Sequence, residues 1–181
     1  MKDMYEDIER VLVTKDEIDA MVARLGRQIS RDYEGQPLVV LSVLKGGFVF
    51  MADLIRHITI PLELDFMAVS SYGASTKSSG VVQLIKDADV VLTGKHVLIA
   101  EDIIDSGLTL SYLKNMLATR GPLSVKICTA FDKPAGRKID LEADYVGITI
   151  PDEYVVGYGL DYASKMRNIP ELCVLKRSMY E

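Results

Sequence analysis

Apolar residues along the chain follow two patterns that predict different elements. Between Ile18 and Ile29 they recur three or four positions apart, which is the spacing of an amphipathic helix. Thr14 and Glu17 have the spacing of a capping box, so we expect this helix to begin just after Thr14. Elsewhere the apolar residues form short, nearly continuous runs, which are typical of strands buried on both faces of a parallel sheet.

The apolar runs alternate with segments of helical character. Predicted strands cover residues 38–44, 62–70, 81–85, 97–100, 125–131 and 145–150, and predicted helices cover 48–58 and 109–119. This order favours an α/β fold with a mostly parallel sheet and helices on its faces, in which ligands bind beyond the carboxyl ends of the strands. A length of 181 residues suits one well-buried domain, so we expect residues 1–181 to form a single domain.

An acidic cluster follows the fourth predicted strand, at the start of the sequence EDIIDSGLTL. Glu101, Asp102 and Asp105 lie within five positions, where their charges repel one another. Such a cluster is understandable if a hydroxyl-rich group or a cation lies over it, and a phosphorylated sugar with a divalent metal meets both demands. An acidic loop after a strand is nevertheless most often a solvated turn, so the carboxylates alone do not establish a site.

Features of a phosphate site follow the acids. Ser106 and Thr109 supply hydroxyls where a helix begins and where its free N–H groups need caps. At Gly107 no side chain blocks the approach of an anion to backbone donors and to the positive end of the helix dipole. The segment Lys45-Gly46-Gly47 offers similar donors after an earlier strand, although Lys-Gly-Gly taken alone is a common turn.

Composition limits the classes of function. The chain is 49% hydrophobic and 26% charged, which excludes disorder, and no apolar run approaches the ~20 residues that span a bilayer. The amino-terminal sequence lacks the pattern of a secretory signal, and Cys128 and Cys173 lie in apolar contexts typical of reduced core thiols. We therefore expect a cytoplasmic protein without a membrane partner.

Net charge argues against a nucleic-acid partner. The chain carries a formal net charge of −5, whereas general nucleic-acid binding requires a basic footprint. A polyanionic ligand must therefore be held by local groups and a metal ion.

Several motifs resemble those of the type I phosphoribosyltransferases. EDIIDSGLTL resembles the family's phosphoribosyl pyrophosphate signature, with Ser106 in place of the usual threonine and Ala100 in place of a larger aliphatic residue. The segment 44–47 resembles the pyrophosphate-binding loop of the family, and Ser71-Tyr72 resembles the Ser-Tyr pair of its long lid. YVVGYGLDY, residues 154–162, resembles a stretch in the branch that uses hypoxanthine and guanine. The resemblance covers about residues 38–175.

This resemblance implies a fold and an activity. The fold would be α/β, with a mostly parallel twisted sheet flanked by helices and a small hood. The activity would be transfer of the phosphoribosyl group from phosphoribosyl pyrophosphate to a 6-oxopurine base, with Mg²⁺ as the cofactor. The family also implies a homodimer or homotetramer.

The resemblance further implies roles for single residues. Asp105 would be the general base for the purine proton. Lys133 would donate a hydrogen bond to the purine oxygen, and Tyr154 would stack on the ring. Asp161 would hold the metal, together with Glu101 and Asp102. The other implied substrate-binding residues are Lys45, Gly46, Ser71, Tyr72, Ile104, Ser106, Gly107, Leu108, Thr109, Val155 and Arg167.

Other interpretations stay open from the sequence. Small polar residues between Ser71 and Gly80 predict a mobile loop, which is an idle linker by default and a lid by the resemblance. Lys133 is alternatively a solvated turn residue. An RNA-binding regulator on the same fold and a ligand-binding module without catalysis are the alternative functions. The acidic balance and the pair of Lys133 and Tyr154 count against the regulator, and an intact Asp105 counts against the module.

Overall fold

The computed structural model describes residues 3–71 and 82–180. Tyr72 and the rest of the predicted lid up to Gly80 lie outside the described residues. In chain order the elements are β1 (Ile8–Val13), α1 (Lys15–Asp32), β2 (Leu38–Leu44), α2 (Phe48–His57), β3 (Glu63–Ser71), β4 (Val82–Lys86), β5 (His96–Ile104), α3 (Leu108–Ala118), β6 (Ser124–Asp132), β7 (Tyr145–Thr149), β8 (Val155–Val156) and β9 (Leu172–Leu175). Short 3₁₀ turns occupy Pro134–Gly136 and Arg177–Met179.

The main sheet has six strands in the order β4-β3-β2-β5-β6-β7. Strand β4 pairs antiparallel with β3, and the pairs β3–β2, β2–β5, β5–β6 and β6–β7 are parallel. This arrangement confirms the predicted α/β fold with a mostly parallel sheet. The single-domain assignment of residues 1–181 stays a prediction.

Side chains on β2 show why the sheet carries helices on both faces. Val40 packs in a core cluster with α1 and α2, whereas Val39 and Leu41 point to the other face and share a cluster with α3. All of them are buried, as expected for a strand whose sequence is apolar at nearly every position. Helix α1 begins as predicted, because Thr14 and Glu17 form the capping box.

The structure has a second sheet of three strands, none of which was predicted from the sequence. Its order is β1-β9-β8, and both pairs are antiparallel. Strand β1, with the sequence IERVLV, shows no regular alternation of charged and apolar residues, and β8 has two residues, so neither gives a strong periodic signal. Strand β8 directly follows Tyr154, so the small sheet adjoins this residue. The sheet is the counterpart of the expected hood.

Two further expectations concern the thiols and the membrane. Cys128 and Cys173 are both free and buried, as predicted. Within residues 3–71 and 82–180, no helix has the length and apolar character needed to cross a membrane.

Candidate active site

The site lies where β2, β5 and β6 end. Parallel pairing sets Ser42 opposite Ala100 and Ile104 opposite Asp132, so the three carboxyl ends are neighbours. The predicted groups lie at these ends or just after them, in residues 45–47, 101–109 and 133. The sheet register therefore brings together three segments that are far apart in sequence.

The end of β5, the start of α3 and residues 105–107 between them, which we call the phosphate loop, form a small cavity of about 230 Å³, the phosphate cavity. It is lined by Glu101, Asp102, Ile103, Ile104, Asp105, Ser106, Gly107, Thr109 and Leu110. Gly107 has a φ of 80° and stands at the N-cap of α3. We expected Ser106 and Thr109 to cap this helix, and that expectation is wrong, because no side chain in the described part of the chain makes the cap hydrogen bond. The first N–H groups of α3 are thus left for an external acceptor such as phosphate.

Arg137 fixes this loop from outside, and no sequence motif pointed to it. Its guanidinium donates to the backbone oxygen of Asp105 at 2.7 Å and forms an ion pair with Asp132 at the end of β6. The backbone N–H of Lys138 donates to the Ser106 oxygen at 3.0 Å. The phosphate loop is therefore tied to the neighbouring strand by three contacts that need no ligand.

Gly46 allows the loop after β2 to approach the acidic cluster. A Cβ atom at residue 46 would collide with the Asp102 carboxylate, so any larger residue would push the two segments apart. The peptide bond between Leu44 and Lys45 is cis. Gly159 packs in the same way against the backbone oxygen of Gly46, which connects the segment after β8 to this loop.

Glu101 and Asp102 form a buried acidic pair. Asp102 is 5% exposed, and the Oε2 atom of Glu101 is buried without a hydrogen-bond partner among the described residues. Burial raises the pKa of Glu101 well above its usual value, and the nearby Asp102 charge raises it further. Burial also raises the pKa of Asp102, although a hydrogen bond of 2.8 Å from the Ile103 N–H opposes this effect. The pair has an unmet need for a cation or a donor.

Lys133 carries its ammonium group into a second cavity. Its Nζ lies 2.9 Å from Asp105 Oδ2 and 3.2 Å from Asp152 Oδ1. Burial alone would lower the pKa of Lys133, but the two carboxylates outweigh burial and raise it. The interpretation of Lys133 as a solvated turn residue is therefore wrong, because the residue is buried and doubly ion-paired. Gly136 leaves room for this arrangement, since a Cβ there would overlap Asp105 Oδ1.

Aromatic rings line the same side of the site. The second cavity has a volume of about 540 Å³ and is lined by Glu9, Lys133, Asp152, Glu153, Tyr154, Val174, Arg177 and Tyr180. Tyr154 stacks on Tyr180, with ring centroids 4.8 Å apart, and meets the edge of Tyr162 at 5.9 Å. Lys133 and Tyr154 thus face one cavity of a size suited to a planar heterocycle.

Arg167 and Asp161 pair with each other. The Arg167 Nη2 atom lies 2.6 Å from Asp161 Oδ1, and Nη1 donates to the Gly159 oxygen at 2.6 Å. The Arg167 charge also attracts the Asp102 carboxylate. In the part of the chain that the structure describes, no group of three or more His, Cys, Asp or Glu side chains could hold a metal ion. The predicted ligands Asp161, Glu101 and Asp102 do not form such a cluster by themselves.

The remaining predicted residues lie around this core of the site. Ile104 is buried at the end of β5, Leu108 begins α3, and Val155 is buried in β8 beside Tyr154. Ser71 ends β3. Tyr72 lies outside the described residues. Sequence reasoning missed Asp152, Gly136 and Arg137.

Three comparisons with known proteins bear on this site. Residues 14–163 match the family model described as a phosphoribosyl transferase domain. The hypoxanthine-guanine phosphoribosyltransferase of Bacillus subtilis (strain 168) is 53% identical over 178 residues, which cover 98% of this chain and 99% of the relative.

Solved structures are similar over nearly the whole chain. A hypoxanthine phosphoribosyltransferase from Staphylococcus aureus superimposes with a TM-score of 0.95 at 47% identity, covering 98% of this chain and 97% of the other. The Trypanosoma cruzi hypoxanthine phosphoribosyl transferase gives a TM-score of 0.91 at 40% identity, covering 99% and 97%. That protein was studied for the role of its C-terminal region in oligomeric state and activity.

The buried acidic pair leads to a prediction about stability and pH. Because the folded-state pKa of Glu101 is raised from 4.5, the folded chain holds a proton that the unfolded chain releases. Its contribution to stability is complete below pH 4.5 and is lost as the pH rises through the folded pKa. Glu101→Gln removes that loss, so the variant should gain stability over the parent above pH 4.5, by about 1.4 kcal/mol for each pH unit between 4.5 and the folded-state pKa.

Urea unfolding of the ligand-free proteins at about pH 4 and about pH 8 measures this difference. Glu142→Gln, at an exposed position, is the control and should stay within about 0.5 kcal/mol of the parent at both pH values. A Glu101→Gln variant that gains no stability between the two pH values would contradict the assignment of a desolvated acid.

Proposed function

The chain belongs to the phosphoribosyl transferase family, and from this premise we propose that it transfers the phosphoribosyl group of phosphoribosyl pyrophosphate to hypoxanthine or guanine. The products are IMP or GMP and pyrophosphate, so the protein acts in purine salvage. The observation that carries the proposal is the contact of Lys133 with Asp105 beside Tyr154, next to the free end of α3. A hydrogen-bond donor, a proton acceptor and a stacking ring thus adjoin a phosphate loop.

We propose that the phosphate loop holds the sugar phosphate. The N–H groups from Ser106 to Thr109 and the α3 dipole suit a dianion, and Arg137 keeps the loop in place without a ligand. The ribose hydroxyls would donate to Glu101, whose buried Oε2 atom has no donor among the described residues, and to Asp102. Positioning of this kind supplies much of the rate in group transfer, because the reacting atoms are held in line.

Pyrophosphate would leave on the side of Lys45, Gly46 and Arg167. The close contact of Gly46 with Asp102 sets the backbone of this loop against the ribose site. Arg167 is paired with Asp161 before any substrate binds, so the arriving polyanion would compete for the guanidinium and release the Asp161 carboxylate. The positive charges then stabilise the leaving group as the sugar becomes cationic.

The purine would lie in the second cavity, between Tyr154 and the sugar site. Lys133 would donate to the oxo group of the purine, and Val155, which follows Tyr154 in the chain, would bring its backbone beside the same ring. When a ring nitrogen attacks the sugar carbon, the bond to pyrophosphate breaks and the nitrogen must lose its proton. The Asp105 carboxylate would accept this proton, since it lines the phosphate cavity and lies 2.9 Å from the Nζ atom of Lys133, which lines the second cavity.

Magnesium is the cofactor that this site would use. Mg²⁺ usually binds through one or two carboxylates together with substrate phosphates and water, so it does not need a preformed cluster of protein ligands. Asp161, with Glu101 and Asp102 nearby, would hold the ion, and the buried free oxygen of Glu101 fits this demand. When bound, the ion would neutralise the pyrophosphate charge.

Other properties follow from the family. We propose a cytoplasmic homodimer or homotetramer, and we propose that Ser71 and Tyr72 belong to a lid that excludes water from the cationic sugar. An RNA-binding regulator is the less favoured alternative, because the chain is acidic and because Lys133 and Tyr154 line the second cavity, which we call the base cavity.

The proposed proton transfer predicts the effect of Asp105→Asn. Asparagine keeps the size of the side chain but cannot accept the proton, so kcat should fall by roughly two or more orders of magnitude. The dissociation constant for phosphoribosyl pyrophosphate, measured by calorimetry, should change little, because the backbone donors of the loop remain. The control is Asp140→Asn, at an exposed position. An unchanged kcat for Asp105→Asn would remove the base from the mechanism.

The proposed cofactor predicts that turnover depends on a divalent ion. Nucleotide formation should stop in excess chelator and return when magnesium or manganese is added, because the acidic site cannot neutralise pyrophosphate alone. The assay follows IMP formation from hypoxanthine. Full activity in excess chelator would exclude the metal requirement.

A further inference from the structure

The ion pair between Lys133 and Asp105 conflicts with the proposed chemistry. The ammonium that would donate to the purine oxygen and the carboxylate that would accept the purine proton are engaged with each other, with Lys133 Nζ 2.9 Å from Asp105 Oδ2. Transfer to a purine therefore requires that Lys133 turn from Asp105 to the purine oxygen.

Release from Asp105 would be unfavourable if Lys133 had no other partner. The Lys133 side chain is 11% exposed, and a buried ammonium that loses its counter-charge is strongly destabilised. A purine oxygen is a neutral acceptor and cannot replace the lost negative charge. A second carboxylate that stays with Lys133 throughout the reaction would remove this cost.

Asp152 is placed to be this second carboxylate. Its Oδ1 lies 3.2 Å from Lys133 Nζ, and it comes from the segment after β7, not from the phosphate loop. That segment is joined to the end of β6, just before Lys133, since the Ile150 N–H donates to the Asp132 oxygen at 2.8 Å. It is also joined to β1, through an ion pair of 2.5 Å between Arg10 and Glu153.

Asp152 also differs from Asp105 in its neighbours. Asp105 lines the phosphate cavity, whereas Asp152 lines the base cavity together with Tyr154. An ammonium held only by Asp152 would stay in the base cavity. An ammonium held by Asp105 alone would stay at the boundary with the sugar site.

We propose that Asp152 is a positioning residue that keeps the Lys133 ammonium in the base cavity while Asp105 is free to take the purine proton. The proposal rests on the proposed function and adds to it a residue that selects 6-oxopurines through Lys133. Without Asp152 the ammonium remains with Asp105, so recognition of the purine oxygen and proton acceptance are both impaired.

Steady-state kinetics of Asp152→Asn tests this role. The variant should lose at least about tenfold in kcat/KM for hypoxanthine, while its KM for phosphoribosyl pyrophosphate changes by less than about threefold. The slow reaction with adenine, which has no oxo group for Lys133, should fall less, because only proton acceptance by Asp105 is impaired there, so selectivity for hypoxanthine falls. Asp152→Glu keeps the charge and should restore most of the hypoxanthine activity.

A matched control comes from the surface pair of Asp89 and Lys86. Their charged atoms are also 3.2 Å apart, but the Asp89 side chain is 87% exposed. Asp89→Asn therefore removes an equivalent contact outside the site, and its kcat/KM should stay within about twofold of the parent.

A double-mutant cycle shows whether Asp152 acts through Lys133. In a Lys133→Ala background, Asp152→Asn should cause less than about a twofold further loss, because its partner is already absent. An equal loss in both backgrounds would overturn the proposal, as would equal losses for hypoxanthine and adenine, which indicate general damage to the fold. If the parent protein forms IMP and the Asp152→Asn variant keeps the selectivity of the parent, this role alone is refuted. A parent protein that forms no nucleotide would refute the proposed function instead.

Discussion

The candidate site depends on parallel hydrogen bonding between β2, β5 and β6. The middle of each strand is mainly apolar and buried, and the pairing places the three carboxyl ends side by side. The groups that follow the strands need no further elements to bring them together. A slip of one residue in a register would turn the side chains of that strand to the opposite face and separate these groups. The apolar faces, packed against α1 and α2 on one side and α3 on the other, hold the register.

The charged side chains of the site satisfy one another only in part. Lys133 is shared by two carboxylates and Arg167 is held by Asp161, whereas a buried oxygen of Glu101 has no hydrogen-bond partner within residues 3–71 and 82–180. A polyanion with hydroxyl groups and a cation would meet these needs together. The same contacts explain why glycine stands at positions 46 and 136, where a Cβ would displace a carboxylate.

Much of the main sheet could be predicted from the sequence, because strands buried on both faces leave continuous apolar runs. The small sheet could not, since β8 has two residues and the β1 sequence mixes charged and apolar positions. Residues within a contiguous motif, such as Asp102 and Gly107, were found through their neighbours in sequence. Asp152 was not found, because its role depends on a contact with Lys133 that only the fold creates. The lack of a side-chain cap on α3 among the described residues was also unexpected, because serine and threonine are favoured at the N-cap, and here Gly107 holds that position.

The central claim is that Lys133 and Asp105 form a base site for 6-oxopurines beside a phosphoribosyl site. The most direct measurement is the parent protein's kcat/KM for hypoxanthine, guanine and adenine, with saturating phosphoribosyl pyrophosphate and magnesium. An ammonium only donates hydrogen bonds, so hypoxanthine or guanine should be preferred over adenine by roughly four decades or more. Comparable values for adenine and hypoxanthine, or the absence of any nucleotide product from a folded protein, would contradict the account.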